Sequence, residues 1–406
     1  MVVRTRAADR LGRALAWAID EGKQVPGTLS TEDLVHLKQE LAVGRPFPSA
    51  LYPKLRLFAQ IVWRIELPDP ANDCTLADAL DAITELASST PSSARASVTP
   101  WSFTPHVEAA TFEELSYAAG AEGIDREYRN NREGWAVHGE HSKRFVCDAL
   151  QDLVPGKVAW VFGAGRAYDL PLPELAEHFE RVVLVDIDRE ALEATRGTLD
   201  ASLRARFELV AADLTGVAAA WRARTLAAVR DASDAREAAR RLDELYRGYV
   251  VADESPWSFL GEGADLIVSQ MLLSQLNEPL ERFPQRLYEE RFGVPLFAAR
   301  PDLRVENMLF AHRVQHDHLR FLMRHAPAAV LTSDVAEQYT QRGLSGAVEP
   351  VGDELLLLGA YRLAERIPRG LEILRQKQWQ WQRAIPRLAG QVGSRMRVGA
   401  LLLRGA

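Results

Sequence analysis

At 406 residues, 47% of them hydrophobic and 26% charged, the chain is long enough for two domains with buried cores, and its composition excludes a disordered polymer. A net charge of -7 argues against a nucleic-acid backbone as the main partner, because neutralising phosphates draws on surplus Lys and Arg. Cys74 and Cys147 form no C-x-x-C pair, which excludes a disulfide scaffold and a zinc ribbon and fits a reducing, cytoplasmic setting.

The Arg-rich start lacks an apolar h-region and carries Asp9, Asp20 and Glu21, so it is expected to be a first helix and not a targeting segment. No apolar run approaches the ~20 residues needed to cross a bilayer. Residues 1–88 are expected to form a small all-α domain. Leu11, Leu15, Ala18 and Ile19 share one helical face, and a capping-box pattern at Ser30–Asp33 precedes Leu34, Leu37 and Leu41. Two further stripes run through Leu55, Phe58, Ile61, Val62 and Ile65, and through Leu76, Leu80, Ile83 and Ala87. This unit is the expected docking surface for any protein partner. A linker is expected over residues 89–105, where the stretch SSTPSSARASVTP, residues 88–100, lacks periodicity and apolar surface.

From 106 to 406 the pattern alternates. Strands are expected over 157–163, 181–187, 206–211, 265–269 and 328–332, each a short apolar run of the kind buried on both faces. Helical segments between them imply an α/β, doubly wound, mostly parallel sheet. Two connections, 214–260 and 277–325, are long enough to count as helical insertions, expected to serve as lids or partner surfaces. Residues 378–383 and 395–403 suit a closing antiparallel hairpin and bring the expected sheet to seven strands.

VAWVFGAGRAYDLPLPELAEHF, residues 158–179, joins a strand to a helix through Gly163, Ala164 and Gly165. Glycines there let the backbone approach a ligand, with helix amides aimed at it. Asp186 ends RVVLVDID, where a carboxylate can accept from both hydroxyls of a ribose. Ile187 follows it. Asp213 and Leu214 follow the third strand, and Ser269 ends the fourth across the switch point.

In the order and spacing of VFGAG, VVLVDID, AADL and DLIVSQMLL, the segment from about 125 to 406 resembles the class I, Rossmann-like, seven-stranded S-adenosylmethionine-dependent methyltransferases. The resemblance implies S-adenosyl-L-methionine as cofactor. It places the methionine portion at the glycine turn, the ribose on Asp186, the adenine amine on Asp213 and an adenine face on Ile187. Val161 stands where the family usually has an acid, and Ala167 replaces a third glycine. Asp169 is the candidate substitute acid; its alternative role is a helix N-cap ahead of Pro171.

An NAD-dependent oxidoreductase shares the G-x-G turn and the strand-two acid. Its pyrophosphate would meet Asp169, which repels it, although Arg166 offsets part of that charge. A third reading keeps cofactor binding without transfer, in a partner-docking protein.

The acceptor is expected to be a small molecule or a peptide nitrogen or oxygen. Ser269-Gln270-Met271-Leu272 departs from the Asn/Asp-Pro-Pro-aromatic motif of adenine and glutamine N-methyltransferases. Gln270 and Met271 are therefore substrate candidates. EYRNNREGWAVHGEHSKRF, residues 127–145, supplies Tyr128, Arg132, Trp135 and His138 as lid, substrate or catalytic candidates. His312 and His316 have the i,i+4 spacing of a metal pair near Glu306, but no third ligand is visible, so they are kept as candidate bases and no metal is expected. Trp379 alternates with glutamines and is a candidate wall of an acceptor pocket, the alternative being a packing role.

Overall fold

The computed structural model describes Trp101 and residues 104–405, apart from 250–259, 261–262, 301–302, 344, 357–362, 368–370 and 389. The expected helices of 1–88, most of the 89–105 linker and the side chain of His312 lie outside the described residues. At the end of that linker stretch Trp101 is fully buried, stacks on Trp221 and donates its indole N–H to the Gly248 carbonyl at 3.0 Å.

Three helices open the described chain: α1 (Ala109–Glu114), α2 (Tyr117–Asn130) and α3 (Arg132–Gln151). Then β1 (Gly156–Phe162), α4 (Leu172–His178), β2 (Phe179–Asp186), α5 (Arg189–Thr198), α6 (Ala201–Arg204) and β3 (Phe207–Ala211) alternate. The first long connection carries α7 (Ala218–Arg230) and α8 (Ala235–Arg247) before β4 (Leu266–Ser269). The second carries α9 (Glu278–Phe292), α10 (Leu296–Ala299) and α11 (Leu303–His325) before β5 (Ala328–Arg342). β6 (Val348–Leu356), β7 (Leu371–Ala384) and β8 (Val392–Gly405) complete the sheet.

The strand order is β3-β2-β1-β4-β5-β8-β7, with β6 pairing to β5 off this path. The first five strands are parallel; β8 pairs antiparallel to both β5 and β7. Eight strands replace the expected seven. The additional one, β6, contains Pro350, whose missing N–H is tolerated at the edge of a sheet but gives no strand signal in sequence. β5 is also longer than the expected 328–332, because its outer half, DVAEQYTQR, is an antiparallel strand with polar positions.

Strand periodicity divides the core in two. Trp160, Phe162, Val183, Val185, Ile267 and Leu331 face one cluster, while Ala159, Val161, Val182, Leu184, Val268 and Val330 face the other. The first cluster is filled by Trp221, Tyr246, Tyr288 and Phe310, all from the long connections. Those connections thus pave one face of the sheet. The second cluster is closed by Phe145, Val146 and Ala149 of α3, Leu175 and Ala176 of α4, and Leu192 of α5. The two families of crossovers lie on opposite faces, so the winding reverses between β1 and β4 and opens a crevice there.

Candidate cofactor and acceptor site

The crevice begins where β1 runs out. The Gly163 and Ala164 amides both donate to the Val185 carbonyl of β2, at 3.0 and 3.3 Å. Gly163 turns left-handed (φ 69°), and a Cβ there would come within 2.7 Å of the Gln270 carbonyl. No other residue fits so close an approach of two backbones. Gly165 is also left-handed (φ 43°), and its amide donates to Asp186 Oδ2 at 2.9 Å. Asp186 Oδ1 accepts from the Asp188 amide at 2.9 Å. Burial pushes the Asp186 carboxyl up to about 6, even though these amide donors favour its charged form. Each oxygen retains acceptor capacity for a further donor. Half-buried Ile187 lies beside it.

Asp213 is engaged by its own loop. It is 1% exposed. Its Oδ1 accepts from the Thr215 amide at 2.8 Å and the Thr215 hydroxyl at 2.6 Å, and its Oδ2 from the Ala218 amide at 2.8 Å. The carboxylate therefore ties the loop after β3 to the start of α7. Leu214 is buried in the first core cluster.

On the other flank, five residues from four segments converge. His138 of α3 is fully buried. Trp379 donates to its Nδ1 at 3.1 Å, and its Nε2 lies 3.2 Å from Asp169 Oδ2. An indole N–H can only donate, so Nδ1 is the acceptor and Nε2 carries the proton towards Asp169. Gln270 places its amide nitrogen 2.6 Å from the same Asp169 oxygen and 2.7 Å from the Ser142 hydroxyl. Its carbonyl oxygen Oε1 is buried with no partner among the described residues. Burial raises the Asp169 carboxyl, but the hydrogen bonds and charge of His138, with the bond from Gln270, outweigh it and hold the group below its ordinary value. The N-cap alternative for Asp169 fails: α4 is preceded by Pro171 and has no side-chain cap.

The aromatic candidates gather around this network. Trp381 stacks on His138 at 4.2 Å and meets Trp135 edge-on at 4.6 Å. Tyr128 stacks on Tyr168 at 3.6 Å, and exposed Arg132 lies over Tyr128 at 5.9 Å. Trp135, Trp379 and Trp381 are core residues of the second cluster. His138 is correspondingly no open base, since both ring nitrogens are engaged.

Sequence reasoning missed Ser142, four residues beyond His138 on one face of α3, although the spacing was legible. It also missed Asp334 of β5, which is 5% exposed. His318, passed over for His312 and His316, is the buried histidine of α11. Its Nε2 lies 2.9 Å from the Ser269 hydroxyl, and burial lowers its pKa to about 3. This pairing places Ser269 on the α11 side of the sheet. His316 is exposed. Among the described residues no three His, Cys, Asp or Glu side chains gather as a metal site, and no helix is long and apolar enough to cross a membrane. Met271 holds a left-handed backbone (φ 48°), strained for a side chain of its kind, with its amide bonded to Thr332 Oγ1 at 2.9 Å.

A doubly wound sheet of order 3-2-1-4-5, closed by an antiparallel pair beyond β5, is the class I methyltransferase fold. No family model and no curated protein matches the chain. Solved structures do match. An S-adenosylmethionine-dependent methyltransferase from Clostridium acetobutylicum ATCC 824 is 8% identical, with 71% of this chain and 99% of that chain covered, at a TM-score of 0.33. TrmN from Thermus thermophilus is 12% identical over 64% of this chain and 48% of its own, at 0.29. The N-terminal domain of EvdMO1, with SAH bound, is 12% identical over 66% and 81%, at 0.30. With scores this low, the fold assignment rests on strand order and register.

Proposed function

We propose that the chain is an S-adenosylmethionine-dependent methyltransferase acting on a nitrogen or oxygen of a small molecule or peptide. The observation that carries this is the bond from the Gly165 amide to Asp186 Oδ2 at 2.9 Å. It presents a carboxylate to ribose hydroxyls beside a turn whose Gly163 has no room for a side chain.

The residues fit the cofactor. Gly163 and Gly165 form the cradle, Asp186 takes the ribose and Ile187 covers one adenine face. Asp169 and the unpartnered Gln270 Oε1 offer acceptors to an ammonium or sulfonium. A pyrophosphate would be repelled by the Asp169 carboxylate. The strand beside β5 is antiparallel, whereas a dinucleotide-binding sheet continues with a parallel sixth strand. When bound, the cofactor supplies an activated methyl group. The protein's own task is then to align the acceptor and exclude water, which alone supplies ~7–11 kcal/mol.

Calorimetry with S-adenosylhomocysteine tests the binding half. Wild type should bind it and Asp186→Ala should not; an unaffected Asp186→Ala removes the site. Incubation of labelled cofactor with fractionated extract tests transfer. Binding with no labelled product in any fraction supports the non-catalytic, partner-docking alternative instead.

A further inference from the structure

We infer that Asp334 anchors a cationic nitrogen, so that the acceptor of this site is an organic amine. The proposal deepens the methyltransferase reading and rests on it for the meaning of the word acceptor, though amine binding itself does not depend on that reading.

The position follows from the strand register. β4 last pairs with β5 at Ser269 opposite Leu331, and β6 first pairs with β5 at Ala336. Between these points β5 pairs, among the described residues, with β8 alone. Asp334 lies in that gap, three residues and ~10 Å past the last β4 pair. It therefore stands outside the carboxyl end of the parallel strands, the region where open α/β sheets bind ligands. Thr332, two residues earlier on the same face, touches the Met271 amide of the loop that carries Gln270. Val335 packs into the first core cluster, so Asp334 points to the other side. There the sheet row runs Asp334, Val398, Trp379, and the Trp379 indole bonds His138.

The carboxylate is enclosed but unsatisfied. Asp334 is 5% exposed, and its Oδ1 has no hydrogen-bond partner among the described residues. A buried acceptor left in this state costs free energy, and its presence marks either a strain reservoir or a missing ligand. The surrounding charge points to the ligand. The groups that act electrostatically on Asp334 are Arg383, His138, Glu337 and Asp169. Arg383 is the guanidinium among them, and it bonds Glu127 through Nε at 2.6 Å. His138 is engaged by Trp379 and Asp169. Each is bonded to another carboxylate, and neither hydrogen-bonds Asp334 Oδ1. Trp381 and Trp135, the latter edge-on to the former at 4.6 Å, supply aromatic surface on the same side. A carboxylate backed by aromatic faces is the chemistry that holds an ammonium group.

The test uses the full-length protein, with benzylamine as the probe and benzyl alcohol as its neutral counterpart, each followed by calorimetry. Wild type should bind benzylamine more tightly than benzyl alcohol. Asp334→Asn should weaken benzylamine about tenfold or more and leave benzyl alcohol unchanged. Equal benzylamine affinity in wild type and variant, or no benzylamine binding to wild type, overturns the proposal. S-adenosylhomocysteine is titrated in parallel: wild type and Asp334→Asn should bind it alike, which also reports that the variant is folded. Benzylamine binding without S-adenosylhomocysteine binding would defeat the methyltransferase reading and leave the amine site standing. The reverse result would defeat the amine site alone.

Discussion

Trp379 donates its indole N–H to His138 Nδ1 at 3.1 Å, and this contact sets the tautomer of a histidine 241 residues away in sequence. The consequence runs on to Asp169, which receives the remaining ring proton, and through Asp169 to Gln270. Trp379→Phe keeps the bulk but leaves Nδ1 buried without its donor. It should cost about 1–3 kcal/mol in urea unfolding. Imidazole nitrogen NMR should show the Nε2–H form in wild type. An Nδ1–H form there would refute the assignment.

Replacing the histidine itself removes more. His138→Ala strands the Trp379 donor, takes a hydrogen bond from half-buried Asp169 and leaves a cavity against Trp381. A loss of about 3 kcal/mol or more is expected. Affinity for S-adenosylhomocysteine should fall as well, because Asp169 is no longer held in place. A stable His138→Ala protein with wild-type affinity would show that the network positions nothing.

The pH dependence of Asp186 has a definite sign. Its folded pKa of about 6 lies above the ordinary value of about 4, so between these values the folded state binds more protons than the unfolded. Stability from this group is therefore fullest at acid pH and declines as pH rises through the window. Compared with Asp186→Asn, wild type should lose stability from pH 4 to pH 7. Buried Asp334, also pushed up to about 6 by burial, adds a decline of the same sign. Only the difference between wild type and Asp186→Asn isolates the first. Parallel stability curves for the two proteins would contradict the burial argument.

His318 works in the opposite sense. Burial holds it near 3, below the ordinary value of about 6.5, so the unfolded chain takes up a proton that the folded one refuses. Below about pH 6.5 this group should withdraw about 1.4 kcal/mol per pH unit until the folded pKa is reached. His318→Gln retains a polar partner for Ser269 and cannot titrate. The variant should show a shallower acid limb in urea unfolding between pH 6 and pH 4. An unchanged limb would mean that His318 is protonated in the fold.

The parallel half of the fold was legible because its strands are buried on both faces and leave unbroken apolar runs, such as Val158–Phe162 and Leu266–Val268. The antiparallel half was less so. Gln338 and Gln341 of β5 interrupt the apolar pattern while pairing across to β8, and Pro350 and Gly352 hide β6. At the site, Gly163, Gly165 and Asp186 could be found because their spacing along one βαβ unit fixes their meeting. Asp334 and His318 could not, since each acquires its meaning from a partner more than 40 residues distant.

The docking of α3 on β7 depends on one missing side chain. Asn131 donates to the carbonyls of Gln382 and Arg383, both at 2.7 Å, which draws the start of α3 onto the strand. A Cβ at Gly134 would collide with the Gln382 carbonyl and come within 2.6 Å of the Asn131 side chain. Backbone cannot give way as a flexible side chain does. Gly134→Ala should therefore push α3 outward, at a cost of about 1–3 kcal/mol. The displacement would also separate His138 from Trp379, weakening S-adenosylhomocysteine binding together with stability. Gly123 in α2 is the matched control, because a Cβ there meets nothing within 4 Å. Gly123→Ala should gain about 0.5–1 kcal/mol from helix propensity and leave ligand affinity alone. If the two substitutions shift urea midpoints in the same direction, the close approach of α3 to β7 is not what holds His138 in its network.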